Sequence, residues 1–440
     1  MLMRKLCTFL IALLTFSAAS AQTPCSTGRY ASDVYTAITT TSNITYGSNT
    51  SWNGANTTLK MDFYEPTADT ATKRPLLIWV HGGSFIGGSK TDIDMVDFAE
   101  GFARKGYACA SIDYRLGFFP FDSANAVKAV VRATQDLKAA IRFFYKDRQL
   151  SNTYKIDTNN IFIGGSSAGA ITALHVAYLD NECEIADYLT AAQITSLGGL
   201  EGNSGNPGYS TTVQGVINGC GALARYSWLE AGDVPLCSIH GTNDGTVKYN
   251  RGIVNPGTPL MYLDGSRMLH ERACAVNLEN QFYTFNNAPH VPYAGTSAAQ
   301  VAYMDTTMNF IRDFLVKELG CTDGMLQPEN PMAQAANLYP IDYCDGSPVS
   351  DVCLSATNPE QFHNKMKVYP NPASDKLTVV WEYEGEMTIE LFDYSGRNIG
   401  HYSVNGDHIE LKRNGLKSGS YLLIISTENG QRSTERIIFN

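Results

Sequence analysis

Residues 161–170 read IFIGGSSAGA, an apolar run that stops at two glycines, two serines, an alanine and another glycine, then continues as AITALHVAYL (170–179). The run before the glycines reads as a buried strand, and the segment after them is compatible with a helix. Gly165-Ser166-Ser167-Ala168-Gly169 therefore fits G-x-S-x-G at a strand-to-helix turn. Glycine at both ends lets the backbone bend sharply without a side-chain clash and leaves the middle serine standing clear. A serine hydroxyl is a weak nucleophile until a base removes its proton, and an acyl carbon reaches only a hydroxyl that projects. Ser167 is thus the candidate nucleophile, held at the carboxyl edge of a sheet. In a chain with 38 glycines the five-residue pattern discriminates little by itself, so the flanking strand and helix carry the weight.

Outward from this turn, LLIWV (76–80), YACASIDY (107–114), VQGVING (213–219) and VPLCSIHG (234–241) repeat the short apolar pattern. Between them lie helix-like segments such as SANAVKAVVRATQDLKAAIRFFYK (123–146), with apolar residues at steps of three and four. The alternation predicts an α/β fold with a mostly parallel sheet covered by helices. Residues 322–365 lose this periodicity and gain Pro, Asn, Gly and Asp, as a linker would. From residue 366, KLTVVWEY, TIELFDYSG, HIELK, SYLLIIST and ERIIF alternate between short turns, which predicts a small antiparallel β-sandwich. At the other end, MLMRKLCTFLIALLTFSAASAQ has the basic start, apolar middle and A-x-A site of a secretory signal peptide, and its apolar run falls short of the ~20 residues that span a bilayer. The expected organisation is a signal peptide at 1–21, an α/β domain at 22–321, a linker at 322–365 and a sandwich at 366–440. No other segment reads as a stable membrane span.

A net charge of -10 without a basic cluster argues against nucleic acid as a partner. Export places the nine cysteines beyond Cys7 in an oxidising compartment, and the odd number leaves at least one unpaired. Cys109 and Cys237 lie on strand-like runs and read as buried thiols, whereas Cys321, Cys344 and Cys353 lie in a loop-rich region and are better disulfide candidates. None shows zinc-site spacing, so neither a metal nor a cofactor is expected.

An acyl-transfer site also needs donors for a developing oxyanion, a base and an acid. His81-Gly82-Gly83 directly follows the strand LLIWV, so the N–H groups of Gly82 and Gly83, with that of Ala168, are the candidate oxyanion hole. His81 precedes the serine and reads as a loop-holding residue. After the serine, Asp244 in LCSIHGTNDGTV and His290 in NNAPHVPYAGT fall in loops in the order acid, then base. His290 is the candidate base and Asp244 its orienting acid. Among the rivals, His270 reads as an exposed helix position, His240 as a structural hydrogen-bonding residue, and His175 as packing on the helix after the turn. His363, His401 and His408 belong to the tail.

In combination and order, HGGSF (81–85), DYRLG (113–117), GGSSAGA (164–170) and HGTND (240–244) resemble the α/β-hydrolase superfamily, in its carboxylesterase and esterase/lipase branch. The chain departs from type-B carboxylesterases in having Ser166 where their elbow usually carries Glu, and from the hormone-sensitive-lipase group in reading HGGS. It is closer to compact bacterial esterases of the feruloyl and acetyl-xylan type. VYPNPASDKLTV (368–379), LFDYSGRNI (391–399) and GLKSGSYLLIIS (415–426) resemble the C-terminal sorting domain of type IX secretion substrates. These resemblances imply a secreted or surface-bound serine hydrolase that cleaves carboxylic esters, small or polymer-linked, through an acyl-enzyme without a cofactor. The type IX secretion machinery would be its partner. The alternatives are a secreted serine peptidase, which in this fold would normally carry an extra domain, and a non-catalytic binding protein on a hydrolase scaffold. Loops at 84–90, 118–123 and 181–210 are expected to set the size of the acyl pocket.

Overall fold

The computed structural model describes residues 24–180, 182–186, 188–254, 257, 259–321, 366–381, 385–393, 397–427 and 432–440. The expected signal peptide and linker lie outside the described residues. In chain order the first unit comprises β1 (Ile38–Thr50), β2 (Asn56–Pro66), β3 (Arg74–Val80), α1 (Ile93–Arg104), β4 (Ala108–Ile112), α2 (Ser123–Leu150), β5 (Ile156–Ser166) and α3 (Ala168–Tyr178). It continues through α4 (Glu182–Ile185), α5 (Ala191–Leu197), β6 (Gly215–Gly219), β7 (Ala222–Leu223), β8 (Leu236–Gly241), β9 (Arg251–Ile253), β10 (Tyr262–Gly265), α6 (Ser266–Ala275), β11 (Asn280–Phe285) and α7 (Ala298–Glu318).

Eight strands form one sheet in the order β1-β2-β4-β3-β5-β6-β8-β11. From β4 to β11 every pairing is parallel, and only the β1-β2 and β2-β4 pairings are antiparallel. Strands β3, β4, β6, β8 and β11 are buried at every residue, as strands covered on both faces must be. The two-residue period of β3 divides its side chains between two cores. Leu76, Ile78 and Val80 join Leu137 and Ile141 of α2 and Leu174 of α3. Leu77 and Trp79 face the other way, with Phe98 and Phe102 of α1 and Phe314 of α7. Helices therefore cover both faces, and the carboxyl ends of β3, β5 and β8 are left to carry loops.

The β1-β2 hairpin was not anticipated. Its first strand is rich in Thr, Asn and Ser, mostly exposed, and shifts register between Thr41 and Ile44 and again between Thr45 and Gly47. A strand of that kind has no apolar alternation to read. The DYRLG segment acquires a structural role here. Arg115 Nε donates to Asp136 on α2 at 2.9 Å, Nη2 to Ser204 Oγ at 3.1 Å and Nη1 to the Thr50 carbonyl at 2.9 Å. The buried pair thus ties the loop after β4 to α2, to the end of β1 and to the 181–210 segment. Within that segment α5 starts at a capping box between Thr190 and Gln193.

Cys25 and Cys321 form a disulfide across 296 residues, so Cys321 is bonded as expected, though to the amino-terminal end of the domain. Cys274 is disulfide-bonded as well. Cys109, Cys220 and Cys237 are free and buried, and Cys344 and Cys353 lie outside the described residues.

The tail contains β12 (Met366–Tyr369), β13 (Lys376–Trp381), β14 (Glu386–Phe392), β15 (Asn398–Asn405), β16 (His408–Lys412), β17 (Gly419–Thr427) and β18 (Arg432–Phe439). They form two antiparallel sheets, β12-β13-β16 and β15-β14-β17-β18. Alternate residues such as Leu377, Val379 and Trp381 on one sheet and Ile389, Leu391 and Ile425 on the other share one core.

Candidate active site

Ser167 sits between β5 and α3 with φ 55° and ψ −118°, a region that non-glycine residues avoid and that turns its side chain off the end of the sheet. The Ser167 N–H donates to the Gly219 carbonyl at 2.8 Å, which fixes the bend against β6. The flanking glycines are required by contact. A Cβ on Gly165 would lie 2.2 Å from the Val80 carbonyl oxygen, and one on Gly169 would lie 1.8 Å from the same atom. The helix can begin this close to β3 only because nothing projects from it there.

Both residues expected to serve Ser167 reach it. The Ser167 hydroxyl lies 2.8 Å from His290 Nε2, and His290 Nδ1 lies 2.6 Å from Asp244 Oδ2. With the hydroxyl donating to Nε2, the proton on the imidazole sits at Nδ1 and is donated to the carboxylate. Asp244 is wholly buried, and its other oxygen accepts the N–H groups of Thr246 at 2.8 Å and Val247 at 2.9 Å. Burial alone would raise its pKa, but the hydrogen bonds from His240 and His290 hold it below the ordinary carboxylate range, so it stays ionised.

His240 is structural, as expected. Its Nε2 faces Asp244 Oδ2 at 3.1 Å and the Val247 carbonyl at 3.0 Å, both acceptors, so this nitrogen carries the proton, and Nδ1 accepts from Ser266 Oγ at 2.7 Å. Cys220, His240 and Asp244 place donor atoms within 4.8 Å of one another, the one such group with metal-ligand chemistry among the described residues. Its members are already committed. The carboxylate accepts from two imidazoles, the imidazole proton points at it, and burial pushes the Cys220 thiol up to about 12, so no thiolate is present to bind a cation.

The expected oxyanion donors lie beside the serine. A Cβ on Gly82 would stand 3.4 Å from Ser167 Cβ and 3.2 Å from the Ser166 carbonyl oxygen, so the backbone of Gly82 runs directly beside the serine turn. Gly83, Ser84 and Phe85 all have positive φ, and the Gly83 carbonyl accepts the N–H groups of Ile86 at 3.0 Å and Gly87 at 2.9 Å, which closes a tight turn. Ala168 directly follows Ser167 at the first position of α3. His81 supports the Gly83 turn. Its ring stacks on Tyr114 at 4.4 Å, and the Tyr114 hydroxyl donates to the His81 carbonyl at 3.0 Å.

A pocket has Ser167 and Ala168 in its lining. Ser84, Phe85, Phe118, Ile185 and Tyr188 contribute to it, so all three loops expected to shape the acyl pocket take part. The larger share comes from α2, α3 and the segments around Trp228 and Leu260, which sequence reasoning did not assign to it. His175 also lines the cavity. Its Nδ1–H donates to the Ile171 carbonyl at 2.7 Å, and burial lowers its pKa to about 4, so it packs as a neutral ring.

One rival histidine is corrected. His270 is not exposed but 2% accessible, with Nδ1 against Asn280 Oδ1 at 2.5 Å, because α6 packs that face onto β11. His401 and His408 are exposed on the tail, and His363 lies outside the described residues. Two residues escaped sequence reasoning altogether. Ser166 Oγ lies 3.0 Å from the hydroxyl of buried Tyr293, and the carboxyl of buried Asp94 on α1, whose pKa is raised by its burial, is stabilised in its charged form by the same serine. Tyr293 is three residues beyond His290, so this contact ties the base-bearing loop to the bend that carries the nucleophile. The signal available was the hydroxyl at Ser166, where related sequences carry Glu.

Residues 61–222 match the family model described as BD-FAE, and residues 367–440 match the secretion system C-terminal sorting domain. The quorum-quenching protein AidA of Acinetobacter baumannii is 34% identical over 118 residues, 27% of this chain and 35% of that protein. Carboxylesterase 3B of Mus musculus is 33% identical over 115 residues, 26% of this chain and 19% of that protein. The chain spans 35% or less of the curated relatives it matches. Among solved structures, Thermogutta terrifontis esterase 2 phosphorylated by paraoxon aligns over 66% of this chain and 96% of its own, at 22% identity and a TM-score of 0.48. No helix among the described residues is long and apolar enough to cross a membrane.

Proposed function

We propose that this chain, an α/β-hydrolase with a BD-FAE segment followed by a C-terminal sorting segment, is an exported serine esterase that works through an acyl-enzyme. The observation that carries the reading is the unbroken relay from Ser167 Oγ to His290 Nε2 at 2.8 Å and from His290 Nδ1 to Asp244 at 2.6 Å. His290 Nε2 takes the Ser167 proton as Oγ bonds to the ester carbonyl carbon. Asp244, held ionised, keeps the imidazole in the tautomer that can accept that proton and stabilises the imidazolium that results. The N–H groups of Gly82, Gly83 and Ala168 receive the negative oxygen of the tetrahedral intermediate. As the intermediate collapses, His290 returns the proton to the departing alcohol oxygen. Water then repeats the sequence on the acyl-enzyme, giving its proton to His290, and the acid leaves Ser167.

Similarity to carboxylesterases favours an ester over a peptide bond. The intact relay disfavours a purely binding role. The tail, with its own hydrophobic core, is read as an address recognised by the type IX secretion machinery, which would deliver the enzyme outside the cell or to its surface.

Ser167→Ala in the purified protein tests the assignment. Loss of p-nitrophenyl ester hydrolysis by on the order of 10³-fold or more, with loss of fluorophosphonate labelling, is the expected result. Hydrolysis at the wild-type rate by the variant would overturn it.

A further inference from the structure

Resting on the serine-esterase reading, we propose that the preferred substrates are esters of unbranched hydrocarbon acids of medium length, about six to twelve carbons, whose acyl chain lies along α3.

The lining of the cavity includes Ser167 and one face of the helix that follows it. Ala168, Ile171, His175 and Leu179 all line it, at steps of three, four and four along α3 and its C-cap. From residue 168 to residue 179 a helix rises about 16 Å at 1.5 Å per residue. An extended hydrocarbon chain advances about 1.25 Å per C–C bond, so that length accommodates about thirteen bonds at the limit. The facing wall comes from α2, where Ala126, Val127, Val130 and Val131 form a matching aliphatic face.

Which half of the ester enters follows from the position of His290. The base must reach the leaving alcohol oxygen to protonate it, and His290 does not line the cavity. Its lining joins Ser167 and Ala168 to Ser84 and Phe85 of the expected oxyanion turn, and takes only Thr246 and Val247 from the acid loop. Its occupant is therefore the part that stays on the serine, the acyl group.

The wall chemistry selects hydrocarbon. Ser84 and Thr246 adjoin the reacting centre in sequence, next to the oxyanion turn and the acid loop respectively. Farther along, the polar side chain on the α3 face is His175, whose Nδ1–H is already donated to Ile171 and whose ring is uncharged at neutral pH. Tyr188 and Trp228 add one polar atom each on otherwise apolar rings, so the several hydroxyls of a sugar acid, or a second carboxylate, would enter with too few partners.

The test uses the purified full chain and p-nitrophenyl esters from acetyl to hexadecanoyl, with methyl ferulate alongside. We expect kcat/KM to rise about fourfold per methylene from acetyl to about octanoyl, the equivalent of ~0.8 kcal/mol per buried CH₂, then to level and to fall beyond about dodecanoyl. Val131→Phe should move the optimum to shorter chains. A flat series, a decline beyond butanoyl, or ferulate turned over faster than octanoate overturns the proposal, and the wild-type series decides this even if the variant does not fold. Failure of the underlying esterase reading has a different signature, with no ester hydrolysed and Ser167 unlabelled by a fluorophosphonate.

Discussion

Gly169→Ala adds one methyl group where α3 leaves β5, and its effect can be worked from two distances. The new Cβ would lie 1.8 Å from the Val80 carbonyl oxygen and 2.5 Å from its carbon, whereas ordinary contact begins near 3.4 Å. The start of α3 must therefore move about 1.6 Å from β3, or share that displacement with it. Ser167 and the Ala168 N–H travel with the helix, while His290 is held by Asp244, whose own bonds are to the loop after β8. A 2.8 Å hydrogen bond stretched by even half of that displacement is lost. Misplacement of about 1 Å at a reacting centre costs on the order of 10²-fold in rate, so kcat should fall by about that factor or more, with KM less affected. Overpacking of this size costs about 1–3 kcal/mol, which for a chain of this length lowers Tm by only about 2–6 °C. Steady-state kinetics and thermal melts on one preparation separate the two effects. A variant with kcat within threefold of wild type would refute the claim that this close helix–strand approach positions the nucleophile.

Asp244→Asn should leave the fold intact and lower kcat by on the order of 10⁴, because the amide no longer fixes the His290 tautomer; ester hydrolysis beside an unchanged circular dichroism spectrum checks this. Asp69 is held down to about 2 against its burial by Arg29, the Ala71 N–H and Tyr35, so its stabilisation is complete above about pH 4 and disappears as pH falls toward 2. Asp69→Asn should cost about 3 kcal/mol near neutrality, and its Tm deficit should close in acid. Glu318 behaves in the opposite sense, since burial and the neighbouring Glu279 push it up to about 7, so stability falls as pH rises from about 4.5 to 7. Glu318→Gln should raise Tm at pH 8 and change it little at pH 4.5, as melts at the two values will show.

The parallel sheet was legible because strands buried on both faces must be apolar throughout, and LLIWV, IFIGG and VPLCSIHG are. The turn that carries Ser167 was legible for a related reason: only glycine fits against Val80 at positions 165 and 169, so the contact leaves a mark in the chain. His290 and Asp244 could be chosen because both lie in loops after the serine, where a base and acid can converge. The β1-β2 hairpin left no such mark, since its first strand is largely solvated and held by backbone pairing. The burial of His270 was hidden because a polar residue on a short helix reads the same whether it faces water or a buried Asn280 partner. The aliphatic floor of the cavity was hidden too, because Val127 and Val131 show the helical period of an ordinary core and only tertiary structure distinguishes a filled core from an open one.

The bond between Cys25 and Cys321 turns everything from β1 to α7 into a covalent ring. A single protease nick inside that ring leaves the pieces joined, and a cut beyond residue 321 releases the tail without opening the ring. Removal of the carboxy-terminal sandwich would therefore leave both ends of the preceding unit stapled together.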